Sequence, residues 1–199
     1  MDLRTAIVVV DYQNDFADPG GTLFVSGGDR ILPAVNTLVM QTRARGGLVV
    51  LTQDWHPPDH VSFAATHGVD PFTDHAGGIA WPVHCVAGTW GAEFPAGLSV
   101  EAGDRIVRKG CLRDHDSFSG FGGREVAAGA TLDELLRKAG IATLDVAGLA
   151  TDICVRATVL DALGLGFRVR VHTSASRPVE AAAGERALAE MAAAGALVV

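Results

Sequence analysis

Cysteine is scarce: Cys85, Cys111 and Cys154 are the only three, and no two lie close together. An odd, scattered set does not make a disulfide framework and fits a reducing cytoplasm. Basic runs are missing as well. Lys plus Arg number 16 against 23 Asp plus Glu, a formal net charge of −7. That balance disfavours phosphate backbones and anionic headgroups, so nucleic acid and membrane are not expected partners. The first apolar run, Ala6 to Val10, is five residues long and ends on Asp11. It is too short for a membrane span or a signal-peptide core and reads as a strand. There is no internal repeat, low-complexity tract or linker. A chain of 199 residues therefore suits one domain over residues 1–199, and folding it buries about 70% of its extended surface without staples.

Hydrophobic residues, 48% of the chain, fall into short strand-like runs that alternate with helical patterns. Ala6–Val10, Leu48–Thr52, Arg105–Val107, Leu144–Val146, Phe167–Val171 and Ala196–Val199 read as strands. The continuous β-branched runs among them suit strands buried on both faces. Pro33 opens a helix to about Arg45 with Leu38, Val39 and Thr42 inward, closed by Gly46-Gly47. Thr131 to Ala139 is a helix whose Thr131 and Glu134 make a capping box. Val179 to Ala194 is an alanine-rich helix ended by Gly195, suited to close packing inside the fold or at a subunit contact. The alternation predicts an α/β fold: three layers, α-β-α, around a mostly parallel sheet of about six strands with right-handed crossovers. Gln53 to about Gly103 shows no periodicity, yet it holds most of the histidines and every tryptophan. An irregular run of that length is usually functional.

Asp11, Lys109 and Cys154 each follow a predicted strand, which places all three at the carboxyl edge of the sheet, where open α/β folds bind ligands. Cys154 comes after the turn at Gly148 and opens a helix for which Thr151 and Asp152 are candidate caps. A thiol in a first helical turn is expected to have a lowered pKa. A thiol, a base to take its proton and a cation to hold that base are the parts of a nucleophilic site. The plainer alternative is a core cysteine and two solvated strand ends. Asp54, His56, His60 and His84 offer a carboxylate and three imidazoles, donors for a borderline divalent ion such as zinc, manganese or iron. Asp54 and His56, two apart on extended chain, face the same way. The alternative is a polar loop with incidental histidines, as His67, His75 and His115 are read here. Cys85 and Cys111 are read as structural rather than reactive, and Trp55 and Trp90 as packing residues.

Six segments occur in an order that resembles a known family. They are VVVDYQNDF (Val8 to Phe16), TQDWHPPDHVSF (Thr52 to Phe63), WPVHCVAGTWGAEF (Trp81 to Phe94), RKG (Arg108 to Gly110), DSFSGF (Asp116 to Phe121) and GLATDICV (Gly148 to Val155). The chain resembles the nicotinamidase/pyrazinamidase branch of the isochorismatase-like cysteine hydrolases, whose fold is Rossmann-like. The resemblance implies a triad of Asp11, Lys109 and Cys154. It implies metal ligation by Asp54, His56, His60 and His84, with zinc first and manganese or iron as alternatives. Phe16 and Trp81 would sandwich a pyridine ring. A cis peptide would precede Ala150, and the backbone N–H groups of Ala150 and Cys154 would form an oxyanion hole. The implied reaction is hydrolysis of nicotinamide, and of pyrazinamide, through a cysteine thioester. Self-association would accompany it, with the number of subunits open. The alternatives are a cysteine hydrolase of another small amide, such as a carbamoyl compound, and a non-enzymatic ligand- or metal-binding module.

Overall fold

The apolar runs assemble into one seven-stranded sheet in the computed structural model, which describes residues 4–75 and 78–199. In chain order the elements are β1 (Thr5–Val10), α1 (Asn14–Ala17), α2 (Leu32–Ala44), β2 (Leu48–Asp54), α3 (Ala64–His67), β3 (Asp74–His75), β4 (Gly78–Ile79), β5 (Arg105–Lys109), β6 (Arg124–Glu125), α4 (Leu132–Lys138), β7 (Thr143–Leu149), α5 (Arg156–Gly164), β8 (Arg168–Arg177), α6 (Ala181–Ala193) and β9 (Leu197–Val198). The sheet order is β6-β5-β2-β1-β7-β8-β9, and β3 and β4 form a separate small ladder. Neighbours in the large sheet run parallel, except that β6 pairs antiparallel with β5.

Strand β6 makes seven where the sequence suggested about six. Two residues carry no periodicity, so nothing in the sequence marks them as a strand. The Gln53–Gly103 stretch is irregular as expected: among the described residues it has only α3, the β3–β4 ladder and a turn of 3-10 helix at Trp90–Ala92 after β2 ends.

The unbroken apolar run of β1 follows from helices on both faces. Ala6, Val8 and Val10 enter one core with Leu136 of α4, Val159 of α5 and Met191 of α6. Ile7 and Val9 enter the other, with Val35 and Val39 of α2. Alternate residues of a strand point to opposite faces, so a strand covered twice must be apolar throughout. Each fully buried aliphatic side chain contributes roughly 1.5–3 kcal/mol. Val35, Val39 and Thr42 are the buried positions of α2, while Leu38 is only partly covered. The Thr131–Glu134 capping box is present on α4. Helix α6 starts later than its sequence pattern, because the Glu180 carboxylate caps the N–H groups of Ala182 and Ala183. Its small inward residues, Gly184 and Ala187, are buried within the chain itself. No helix among the described residues is long and apolar enough to cross a membrane.

Strand order reverses around β1. The chain goes from β1 to β2 and β5 on one side, then crosses to β7 and β8 on the other. Loops leaving such a switch point diverge and open a crevice at the carboxyl ends of the strands.

Candidate active site

Backbone geometry at the switch point is unusual. Asp11 directly follows β1 with φ 46°, a region that few non-glycine residues adopt. Gly148 has φ 120° and lies so close to the Val10 carbonyl that a Cβ would overlap it. Only glycine allows β7 to approach β1 in this way. The Leu149–Ala150 peptide is cis. Thr151–Val155 then forms a π-helical turn, with the Ala150 carbonyl accepting from the N–H groups of both Ile153 and Val155 at 3.1 Å. Neither Thr151 nor Asp152 caps this turn, contrary to the sequence expectation. The Asp152 carboxylate instead accepts from the backbone of Val179 and Glu180, at 2.9 and 3.2 Å, and ties the turn to the segment before α6.

Asp11, Lys109 and Cys154 come together here. The Lys109 ammonium lies 3.0 Å from Asp11 Oδ2, 2.5 Å from Asp54 Oδ1 and 3.6 Å from Cys154 Sγ. It also donates to the Ser117 carbonyl at 3.1 Å. Ligand atoms of Asp11, Asp54 and Cys154 all lie within 4.8 Å of one another. All four residues are buried. Burial alone would pull Lys109 down, but Asp11 and Asp54 reverse this and hold its pKa well above 10.5. Burial pushes Asp54 up, and Lys109 and His56 more than offset it, leaving that carboxyl below the usual range. For Asp11 burial wins over Lys109, and its pKa is raised above 3.8. The thiol differs most from expectation. Burial, with the two carboxylates adding to it and Lys109 opposing, pushes Cys154 well above 9.0. Position near a helix start suggested a thiolate; the removal of water around a sulfur between two carboxylates outweighs it.

Asp54, His56 and His84 also converge, with donor atoms within 4.8 Å of one another. His56 Nδ1 donates to the Gly110 carbonyl at 2.9 Å, and His84 Nδ1 to the Pro82 carbonyl at 2.7 Å. A carbonyl only accepts, so each ring keeps its Nε2 for the cluster. His56 Nε2 lies 3.7 Å from Asp54 Oδ2. Histidines anchored through one nitrogen to a carbonyl, beside a buried carboxylate, fit a divalent cation. Gly110, with φ 62°, is required beside His56, because a Cβ there would collide with the ring. Burial lowers His56, but the Asp54 hydrogen bond and charge and the Gly110 carbonyl hold its pKa above 6.5. Burial pushes His84 down to about 4. His60 stands apart from these donors. Its ring packs 4.2 Å from that of His56, centroid to centroid. However, its Nε2 donates to the His115 carbonyl at 3.2 Å, and its Nδ1 is bonded by the Ser62 hydroxyl at 2.7 Å. Both nitrogens of His60 are thus engaged away from the cluster, and three donors converge where four were expected.

The cavity beside these groups is lined by Phe16, Trp81, His84, Ala150, Ile153 and Cys154, among others. Phe16 and Trp81 therefore reach the same space, from α1 and from the irregular stretch. Several contributors were not anticipated. The Gln13 amide donates to the Asp54 carbonyl at 2.8 Å and accepts from the Asp54 N–H at 2.8 Å, pinning that backbone. The Asp15 carboxylate accepts from Cys85 N–H at 2.7 Å, and the Cys85 carbonyl accepts from His56 N–H at 3.0 Å. Cys85 is thus a buried brace, whereas Cys111 is exposed. Trp55 stacks under the Arg108 guanidinium at 3.5 Å, while Trp90 is exposed rather than packed. Gln13 and Asp15 both fall inside the matching segments, which was the available signal.

A family model described as the isochorismatase domain matches residues 5–199. The nicotinamidase of Escherichia coli (strain K12) is 42% identical over 197 residues, covering 96% of this chain and 92% of its own length. Among solved structures, an Acinetobacter baumanii nicotinamidase/pyrazinamidase matches with a TM-score of 0.87 at 39% identity, covering 100% of this chain and 97% of that one. Pyrococcus horikoshii pyrazinamidase in complex with zinc matches with a TM-score of 0.85 at 38% identity over 98% of both chains.

Proposed function

The chain belongs to the isochorismatase family, and we propose that within it this protein is a nicotinamidase, hydrolysing nicotinamide to nicotinate and ammonia and accepting pyrazinamide as well. The observation that carries this reading is the meeting of a buried Cys–Asp–Lys cluster with an Asp–His–His donor set beside a cavity that Phe16 and Trp81 both reach. The substrate suited to it is a small, flat heteroaromatic amide. Phe16 and Trp81 pack against the ring faces.

Cys154 rests as a thiol. As sulfur attacks the carboxamide carbon, its proton passes to Asp11, whose raised pKa makes it a better base than an exposed aspartate. Lys109 keeps Asp11 charged until that moment and holds it in place. The backbone N–H groups of Ala150 and Cys154 receive the oxyanion, a contact of a kind worth roughly 3–4 kcal/mol in acyl transfer. Asp11 returns the proton to the departing amide nitrogen, and ammonia leaves. Water then hydrolyses the thioester with Asp11 again as base. Asp54, His56 and His84 would hold one divalent ion, zinc by analogy with the Pyrococcus protein; the ion would supply a Lewis acid that helps orient the substrate.

The test is ammonia release from nicotinamide by the purified, metal-loaded protein. Nicotinate and ammonia should form in equal amounts. Turnover of carbamoyl compounds with none of nicotinamide would move the assignment to another amide.

A further inference from the structure

Thr52 is two residues before Asp54 and belongs to neither the triad nor the donor set. It is completely buried. Its Oγ1 accepts from the Asp11 backbone N–H at 3.1 Å and lies 2.6 Å from Asp11 Oδ1. A hydroxyl has one hydrogen. Because Oγ1 already accepts from Asp11 N–H, that hydrogen is the one given to Oδ1. The other oxygen, Oδ2, accepts no aligned hydrogen bond among the described residues and faces Lys109 at 3.0 Å.

We infer that Thr52 is a positioning residue for the general base: it occupies Oδ1, so that the proton leaving Cys154 is delivered to Oδ2. The inference rests on the triad reading above. In the step it governs, the S–H bond breaks, its electron pair stays on sulfur, and an O–H bond forms at Oδ2. A proton on Oδ1 would oppose the Thr52 hydrogen, whereas a proton on Oδ2 leaves that bond intact. Thr52 also clamps the backbone of Asp11 in its φ 46° conformation, so one side chain fixes both the direction of the carboxylate and the identity of its working oxygen. Thr52 does not line the cavity, so the effect should fall on the chemical step and not on binding. The Thr52 methyl packs on Gly120, where an added Cβ would come within 3.0 Å. Packing and hydroxyl are therefore separable.

Three variants of the metal-loaded protein separate them: Thr52→Val keeps the shape, while Thr52→Ser and Thr52→Ala both lose the methyl and differ only in the hydroxyl. Nicotinamide hydrolysis, thermal unfolding and the rate of Cys154 alkylation are measured for each. Thr52→Val and Thr52→Ala should lose about 10- to 100-fold in kcat with KM within about twofold, and Thr52→Ser should keep most of the wild-type kcat. If Thr52→Val does not fold, the Ser and Ala pair reads the hydroxyl alone. A kcat for Thr52→Ala equal to that of Thr52→Ser overturns the inference. So does a loss in which KM rises in step with kcat falling. Cys154→Ala, measured alongside, keeps the two readings apart: if it is inactive while the Thr52 variants are normal, the triad stands and the role of Thr52 does not.

Discussion

The two ends of the parallel sheet use the same residue types to opposite effect. At the amino end, Asp145 of β7 accepts from Arg170 through both oxygens at 2.7 Å and from His172 at 2.6 Å. Arg4 donates to the Ala139 carbonyl at the end of α4, at 3.2 Å. The Arg170 side chain is 40% exposed while Asp145 itself is largely covered, and each charge has a close partner. Burial raises Asp145, but its bonds to His172 and Arg170 outweigh that, and its pKa falls below 3.8. At the carboxyl end, Asp11 also faces a cation, yet burial outweighs Lys109 and its pKa rises. A carboxylate and a cation make a structural tie where water reaches them. Without water, and with one lysine shared between two carboxylates, one of them, Asp11, is raised and can act as a base while Asp54 stays low.

That contrast can be broken most severely at the nucleophile. Cys154→Ala should reduce ammonia release by roughly ten-thousand-fold or more while leaving thermal unfolding almost unchanged, which a discontinuous ammonia assay and calorimetry would show. Lys109→Met strikes both function and stability, because it leaves Asp11 and Asp54 facing each other without their cation. A loss of about 3–5 kcal/mol in urea unfolding should accompany a large fall in kcat. A stability change below ~1 kcal/mol would mean that the shared lysine is solvated.

The donor set gives a smaller, metal-dependent effect. His84→Ala should abolish stoichiometric metal retention after dialysis and raise KM more than it lowers kcat, read by elemental analysis and steady-state kinetics. In the wild type, protons compete with metal for His56, whose pKa is held above 6.5. Metal affinity should therefore fall as pH drops from about 8 to about 5. Retention independent of pH over that range would exclude His56 as a donor.

The amino end sets the lower bound. Asp145→Asn should cost on the order of 1 kcal/mol at neutral pH and leave kcat unaltered. The folded-state pKa of Asp145 is depressed, so its stabilisation is complete above the unfolded value of about 3.9 and disappears as pH falls through the folded one. The unfolding curves of variant and wild type should converge in acid. A variant that lost activity instead would show that the two ends are coupled.

Much of this was legible in the chain because strands buried on both faces are written as unbroken apolar runs, and the residue just after each run must sit at the carboxyl edge. Asp11 and Lys109 were placed that way, and Cys154 by the turn at Gly148 and the helical pattern after it. Strand β6 was not, since two residues have no period. The protonation state of Cys154 could not be read either. It depends on how completely Asp11, Asp54 and Lys109 exclude water around it, a property of packing between segments remote in sequence. His60 carries the same lesson. Its spacing from His56 suited a ligand, but the Ser62 hydroxyl and the His115 carbonyl, one near and one 55 residues away, take up its nitrogens.

The most direct test is to trap the intermediate. Protein mixed with nicotinamide and quenched in acid within one turnover should carry a nicotinoyl group on the peptide containing Cys154 and on neither Cys85 nor Cys111, as read by mass spectrometry. Full nicotinate formation with Cys154 never modified would mean that water attacks the amide directly and that the thiol is not the nucleophile.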